Sequence, residues 1–141
     1  MADVKNYDSK KVSVIVGSRA LKGFAEDSRV SVARDEPVFN AKVGGDGEVT
    51  RSKTNNRLGT ITVSLDQSSE SNDYLSGLLQ ADEKSGNGLF PVLVRDAGGS
   101  SLAGGPKAWI EAFPEMANAK DAGDREWIIK VGDLEMFVGG N

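Results

Sequence analysis

Residues 58–65 read LGTITVSL, the most regular alternation of polar and apolar side chains in this chain of 141 residues. In an extended strand, Ile61, Val63 and Leu65 fall on one face, and the threonines and serine between them fall on the other. Such a strand buries one face in a core and exposes the other to water. The segment therefore predicts a mainly β fold.

Similar short segments, separated by Gly, Pro and Asp, occur on both sides of this strand. They lie at residues 11–16, which continue after a turn at 20–22, and at residues 28–34, 38–43, 49–53, 89–95, 107–112, 125–131 and 134–138. Together with residues 58–65, they bring the expected total to about nine strands. Pro91 predicts either an edge strand or a bulge. The last segment is too apolar for a free tail, so we expect it to pack on its own domain or on a neighbour.

The periodicity becomes helical at about residues 72–84, where Ser71 is placed to cap the helix and Gly86 to end it. The apolar side chains that repeat at helical spacing are Tyr74, Leu75, Leu78 and Leu79. These elements predict a barrel-like fold, or a sandwich of two packed antiparallel sheets, with this helix on its flank. We expect residues 1–141 to form a single domain.

The chain contains no histidine and no cysteine. This excludes the commonest nucleophile and base pairs, the usual zinc ligands and disulfides. Carboxylate pairs such as Asp35 and Glu36 are interpreted as solvated surface, so we predict no enzyme, no catalytic residue, no metal site and no cofactor. No apolar segment approaches the length of a membrane span, and the start lacks a signal-peptide pattern, so we expect no membrane anchor and synthesis in the cytoplasm.

The two halves of the chain differ in charge. Residues 1–60 hold 11 basic and 8 acidic side chains, whereas residues 61–141 hold 6 and 13. The difference is either an uneven scatter of surface charges or a sign of two complementary faces that meet in an assembly. The net charge of −4 argues against a general nucleic-acid-binding protein.

A glycine-rich loop connects the segments 38–43 and 49–53. It consists of Gly44, Gly45, Asp46, Gly47 and Glu48. Its glycines allow the positive φ angles of a tight hairpin tip, and we expect a protruding hairpin at about residues 39–57. The loop lacks the lysine and the Ser/Thr of a phosphate-binding loop and leads to a strand, so a hairpin tip is favoured.

The chain as a whole resembles the tail tube proteins of contractile-tailed bacteriophages. The resemblance lies in an ordered set of segments over residues 11–141: KVSVIVGSRALKGFAEDSRVSVARDE (11–36), GGDGEVTRSKTNNRLGTITVSLDQSSESNDYLSGLL (44–79), FPVLVRD (90–96) and REWIIKVGDLEMFVGGN (125–141). It implies a structural virion protein whose hexameric rings stack head to tail into a hollow tube. The implied partners are the tail sheath protein, the tape-measure protein, baseplate or tube-initiator proteins, and double-stranded DNA that passes through the lumen without specific binding.

Within such a tube, two groups of residues become candidates for function. The candidates for ring stacking lie in the hairpin: Gly44, Gly45, Asp46, Gly47, Glu48, Arg51, Lys53 and Arg57. The candidates for the lumen wall are the polar faces of two strands with a nearby acid: Ser31, Asp35, Thr60, Thr62 and Ser64. Acidic groups near such a wall, including Asp46 and Glu48, would repel phosphates.

Two alternatives remain open at this point. A tube protein of a phage-tail-like injection or secretion machine would share the fold and differ in cargo. A small β-barrel binding module, with a ligand pocket between strands and helix, would be monomeric or dimeric.

Overall fold

A computed structural model describes residue 4, residue 8, residues 11–25 and residues 29–140. This part of the chain contains ten strands and one helix. Their bounds are β1 (Val12–Val16), β2 (Arg19–Ala20), β3 (Val30–Arg34), β4 (Phe39–Val43), β5 (Val49–Lys53), β6 (Gly59–Asp66), α1 (Ser71–Ser85), β7 (Phe90–Asp96), β8 (Leu102–Ala112), β9 (Asp124–Val131) and β10 (Glu135–Phe137).

Eight of the strands form one antiparallel sheet. Its order is β2-β1-β7-β8-β9-β6-β3, with β10 paired to the first part of β8. Strands β4 and β5 form a separate two-stranded sheet. The predicted strand at residues 28–34 starts at Val30 in the structure, and Ser28 lies outside the described residues.

The core is formed where the alternating strands face one another. Ile61 and Val63 of β6 lie opposite Ile129 and Trp127 of β9, and all four are almost completely buried. Val14, from the opposite end of the strand order, belongs to the same apolar cluster. The sheet therefore curves over itself, and the prediction of a mainly β, barrel-like or sandwich fold with one flanking helix is confirmed.

Helix α1 is anchored to the sheet at its first turns. Leu75 is fully buried in the core, and the Tyr74 hydroxyl donates a hydrogen bond of 2.7 Å to the Val16 carbonyl. The predicted capping role of Ser71 is wrong, because this residue lies inside the helix and its Oγ accepts a hydrogen bond from the Lys22 N–H at 2.9 Å. Gly86 ends the helix with a φ of 71°, as predicted.

Strands β7 and β8 differ from the sequence-based expectation. Strand β7 lies between β1 and β8, so it is not an edge, but the register shift between Phe90 and Val92 confirms the bulge expected at Pro91. Strand β8 starts at Leu102 and not at residue 107. The first part of β8 could not be predicted from the sequence Gly104-Gly105-Pro106, because glycine and proline are unfavourable in strands.

Candidate functional site

The β4–β5 hairpin has the tight turn that its glycines predict. The Gly44 N–H donates to the Glu48 carbonyl at 2.7 Å, and the Gly47 N–H donates to the Gly44 carbonyl at 3.0 Å. Gly47 has a φ of 84°, a conformation that favours glycine. All ten residues of the two strands are exposed. The hairpin is therefore a two-stranded element with both faces open in the single chain.

The two faces of this hairpin differ in chemistry. Cross-strand pairing places Phe39 opposite Lys53, Ala41 opposite Arg51 and Val43 opposite Val49. These six residues form what we call the cationic face, which combines four apolar side chains with two basic ones. The Arg51 guanidinium lies 4.0 Å from the centre of the Phe39 ring, a cation–π contact. The other face carries Asn40, Ser52, Lys42 and Thr50.

Arg57, also a stacking candidate, contacts acidic groups of its own chain. Its Nε lies 2.6 Å from Asp133 Oδ1, and its Nη2 lies 3.7 Å from Glu135 Oε1. The Arg57 carbonyl accepts a hydrogen bond from the Leu134 N–H. Arg57 thus holds the end of the hairpin segment against the turn between β9 and β10, while Arg51 and Lys53 remain on the exposed strands.

Four of the five lumen candidates share one outward face of the large sheet. Thr60, Thr62 and Ser64 alternate along β6 with fully buried residues, and Ser31 of β3 lies directly opposite Thr62. Small hydroxyl side chains therefore make up most of the outer face of β3 and β6, which also carries Ala33 and, at its end, Asp66. The acidic candidates Asp46 and Glu48 belong to the turn of the separate hairpin sheet, so the structure does not join them to this face.

Asp35, the fifth lumen candidate, forms a hydrogen-bonded cluster at the end of this face. Lys130 Nζ lies 2.9 Å from Asp35 Oδ2, and the Thr60 hydroxyl donates to Asp35 Oδ1 at 2.7 Å. The Lys130 ammonium, followed by the Thr60 hydroxyl, lowers the pKa of Asp35 below its ordinary value. The sequence predicts that acidic groups near the lumen wall repel phosphates. In the structure the negative charge of Asp35 is balanced by the Lys130 ammonium.

The sequence pattern alone does not indicate that Lys130 belongs to this cluster. The alternation of residues 125–131 places this side chain on the solvent side of β9, but its partners follow only from the register that sets Lys130 opposite Thr60. Trp109, the next residue across the sheet, is half-buried on the same outward face, whereas Trp127 is 1% exposed in the core.

A second feature missed from the sequence is an apolar groove of about 520 Å³ over β7, β8 and β10, which we call the β7–β10 groove. Its lining includes Pro91, Leu93, Leu102, Asp133, Glu135 and Phe137. The predicted packing of residues 134–138 is met only in part. Leu134 is fully buried, but Phe137 and Val138 are 62% and 78% exposed.

Within the described ranges, no group of three or more acidic residues is arranged to hold a metal ion. No helix in the described part of the chain is both long and apolar enough to cross a bilayer.

Comparison with known proteins identifies the family. Residues 11–139 match the family described as "Bacteriophage PhiTE tail tube protein". The chain belongs to this tail tube family. Consistently, it is 35% identical over 143 aligned residues to "Structural protein ORF10" of Pseudomonas phage KPP10, an alignment that covers 96% of this chain and 83% of that relative.

Family membership settles several predictions at once. The family is one of structural tail proteins, so the resemblance seen in the sequence is confirmed, and the chain is a structural component of the virion tail and not an enzyme. The exposed hairpin and the hydroxyl-covered sheet face are therefore surfaces of a tube-family subunit.

Solved structures with the same fold come from the anti-feeding prophage and from an extracellular contractile injection system. The cap that terminates the tube of the anti-feeding prophage matches with a TM-score of 0.58 at 11% identity, covering 97% of this chain and 94% of that one. A chain of the PVC sheath/tube terminator matches at 0.57 and 15% identity, with 97% and 100% covered. A chain of the PVC sheath-tube complex matches at 0.55 and 16%, with 94% and 91% covered.

Proposed function

We propose that this chain is the repeating subunit of the inner tube of a contractile phage tail. Six copies close into a ring, the rings stack head to tail, and double-stranded DNA leaves the virion through the lumen. The observation that carries this proposal is the match of residues 11–139 to the tail tube family. A subunit that presents different surfaces at its two ends propagates without limit, as a tube requires.

In this proposal residues 1–141 form one domain from which the hairpin at about 39–57 protrudes to make the stacking contact. The full exposure of β4 and β5 supports this role, because an isolated two-stranded hairpin is only marginally stable in water and gains from a covering partner. Gly44 to Glu48 form the tip of this contact, with Arg51, Lys53 and Arg57 behind it.

The lumen wall is the hydroxyl-covered face of β3 and β6. Ser31, Thr60, Thr62 and Ser64 offer DNA no cationic group, and the Asp35 carboxylate balances the Lys130 ammonium beside them. A wall without free cations does not trap phosphates, since phosphate binding depends on Lys and Arg. DNA then slides without specific binding.

The remaining partners follow from the same assignment. A tail sheath protein surrounds the tube, the tape-measure protein and DNA pass through it, and a baseplate or tube-initiator protein starts its assembly. The subunit is synthesised in the host cytoplasm before assembly. The solved structures of PVC sheath-tube assemblies, which share this fold, support association with a sheath.

A second function is favoured by a specific observation. The structural neighbours belong to the anti-feeding prophage and to an extracellular contractile injection system, so a tube protein of an injection machine would have the same fold. Family membership favours either tube over the small binding module considered from the sequence.

Negative-stain electron microscopy of the purified protein over a range of concentrations tests the proposal. We expect six-fold rings with a central hole and tubes built from them. Shortening the tip between Gly44 and Glu48 leaves rings but blocks tubes. The matched control is Gly77→Ala on the exposed side of α1, outside the proposed contact, where the added Cβ has no atom within 4 Å, so this variant forms normal tubes. Long tubes from the shortened variant would refute the role of the hairpin.

A further inference from the structure

The β7–β10 groove is an open apolar surface on the outer side of the sheet. Leu93, Leu102 and Phe137 line it and are 36%, 46% and 62% exposed. Gly104 and Gly105 also line it and contribute no side chains, which leaves a concavity between the surrounding apolar groups. Exposed apolar side chains around such a concavity are suited to contact with another molecule.

The groove is also acidic. Within the described ranges its lining includes the carboxylates of Asp133 and Glu135 and no lysine or arginine. The Arg57 guanidinium forms a close ion pair with Asp133, and its Nη2 lies 3.7 Å from Glu135 Oε1. A single cation therefore lies beside both carboxylates. The Glu135 side chain is 79% exposed and remains accessible to a further cation.

The cationic face of the β4–β5 hairpin has the complementary chemistry. Phe39, Val43 and Val49 are 43%, 67% and 67% exposed, and Arg51 and Lys53 lie among them. The acidic residues of the hairpin, Asp46 and Glu48, belong to its turn. The two described strands therefore carry no carboxylate on this face. An apolar surface with two cations therefore complements an apolar groove whose Glu135 carboxylate remains accessible.

We propose that the cationic face of the hairpin docks into the β7–β10 groove of a second copy of this chain. This inference rests on the proposed tube function and identifies the surface that the β4–β5 hairpin contacts on the next copy. Both surfaces are exposed within one chain, so the hairpin does not fill its own groove. The two surfaces differ, so the contact is heterologous and each docked copy presents a free hairpin and a free groove to the next.

The absence of natural cysteine makes a direct test possible. One preparation carries Val43→Cys, and a second, size-tagged preparation carries Phe137→Cys. Both positions are exposed, so folding is preserved, which circular dichroism checks. After mixing, assembly and treatment with a short bismaleimide cross-linker, we expect a covalent dimer of tagged and untagged copies. Thr50→Cys, one residue from Val49 but on the other hairpin face, is the matched control and gives several-fold less dimer.

Charge exchange provides a second measurement. Lys53→Glu or Glu135→Lys alone raises the protein concentration needed for tube formation by about tenfold, and the two together restore it. Lys42→Glu makes the same charge change on the opposite hairpin face and leaves that concentration unchanged.

The outcomes separate this inference from the function on which it rests. The docking site would be overturned if tubes form but Val43→Cys and Thr50→Cys cross-link to Phe137→Cys equally, or if neither cross-links. The tube function would then still stand. Wild-type protein that forms neither rings nor tubes would overturn both.

Discussion

Lys130 Nζ lies 2.9 Å from Asp35 Oδ2 although 95 positions separate the two residues in the chain. Lys130 also donates to Thr60 Oγ1 at 2.8 Å, and the side chains of Lys130 and Asp35 are 20% and 27% exposed. The contact ties β9 to β6 and to the residue that follows β3. It leaves each charge balanced on the face that we propose as the lumen wall.

Removal of the Asp35 charge tests that proposed wall. In Asp35→Asn the Lys130 ammonium loses its carboxylate and becomes available to phosphate. We expect assembled tubes of this variant to retain double-stranded DNA, with retention that falls as salt rises because counterions are released on binding. Retention is measured as labelled DNA that sediments with tubes. The double variant Asp35→Asn/Lys130→Met returns to the wild-type level, and equal retention by wild type and Asp35→Asn would contradict the proposed wall.

The same pair predicts a pH dependence of stability. Because the pKa of Asp35 is lowered in the folded protein, the carboxylate stabilises the fold at pH values above its ordinary pKa of 3.8, and this contribution is lost as the pH falls through the folded-state pKa. The difference in Tm between wild type and Asp35→Asn should therefore shrink on acidification below that value.

The control for this pH dependence removes the lysine. In a Lys130→Met background, Asp35→Asn should change Tm less at neutral pH, because the interaction that lowers the pKa is already gone. An undiminished Tm difference in that background would show that Lys130 does not stabilise the carboxylate.

Trp127 should make a large contribution to the stability of the core. It is 1% exposed and its Nε1 donates to Asn72 Oδ1 at 2.9 Å, which joins β9 to the helix. Trp127→Ala is expected to lower the free energy of unfolding by about 3–5 kcal/mol, measured by urea denaturation. Trp109→Ala, at a half-buried position on the outer face, should cost clearly less. Equal losses would contradict the assignment of the core.

Gly104 is required by the close approach of β7 and β8. A Cβ at this position would collide with the Val92 carbonyl oxygen and lie 3.2 Å from the Leu93 Cα. We expect Gly104→Ala to destabilise the fold by about 1–3 kcal/mol in the same denaturation assay. Gly45→Ala, with no atom within 4 Å, serves as the control and should leave stability unchanged.

The elements of this fold were largely predictable from local pattern. The alternation at residues 58–65 became β6 with its apolar side chains fully buried, and the helical spacing near 72–84 became α1. The hairpin expected at about residues 39–57 followed from its glycines, and its second strand ends at Lys53. The capping role predicted for Ser71 was wrong because of a contact distant in sequence, since its Oγ accepts a hydrogen bond from the Lys22 N–H.

The candidate surfaces were predictable only in part. The hydroxyl face of β6 follows from period two, but its pairing with Ser31 and the masking of Asp35 by Lys130 require the order and register of β3, β6 and β9. The β7–β10 groove combines residues from three strands, and no local pattern indicates that Leu93, Leu102 and Phe137 share one surface.

The sequence by itself determined the class of the protein: a mainly β structural subunit without histidine or cysteine, with a glycine hairpin and a tail-tube pattern. These features depend on side-chain period and backbone freedom, which act over a few residues. Only the tertiary structure decided which charges are paired and where apolar side chains stay uncovered. Those properties depend on strand order and register, which bring together residues as distant as Asp35 and Lys130.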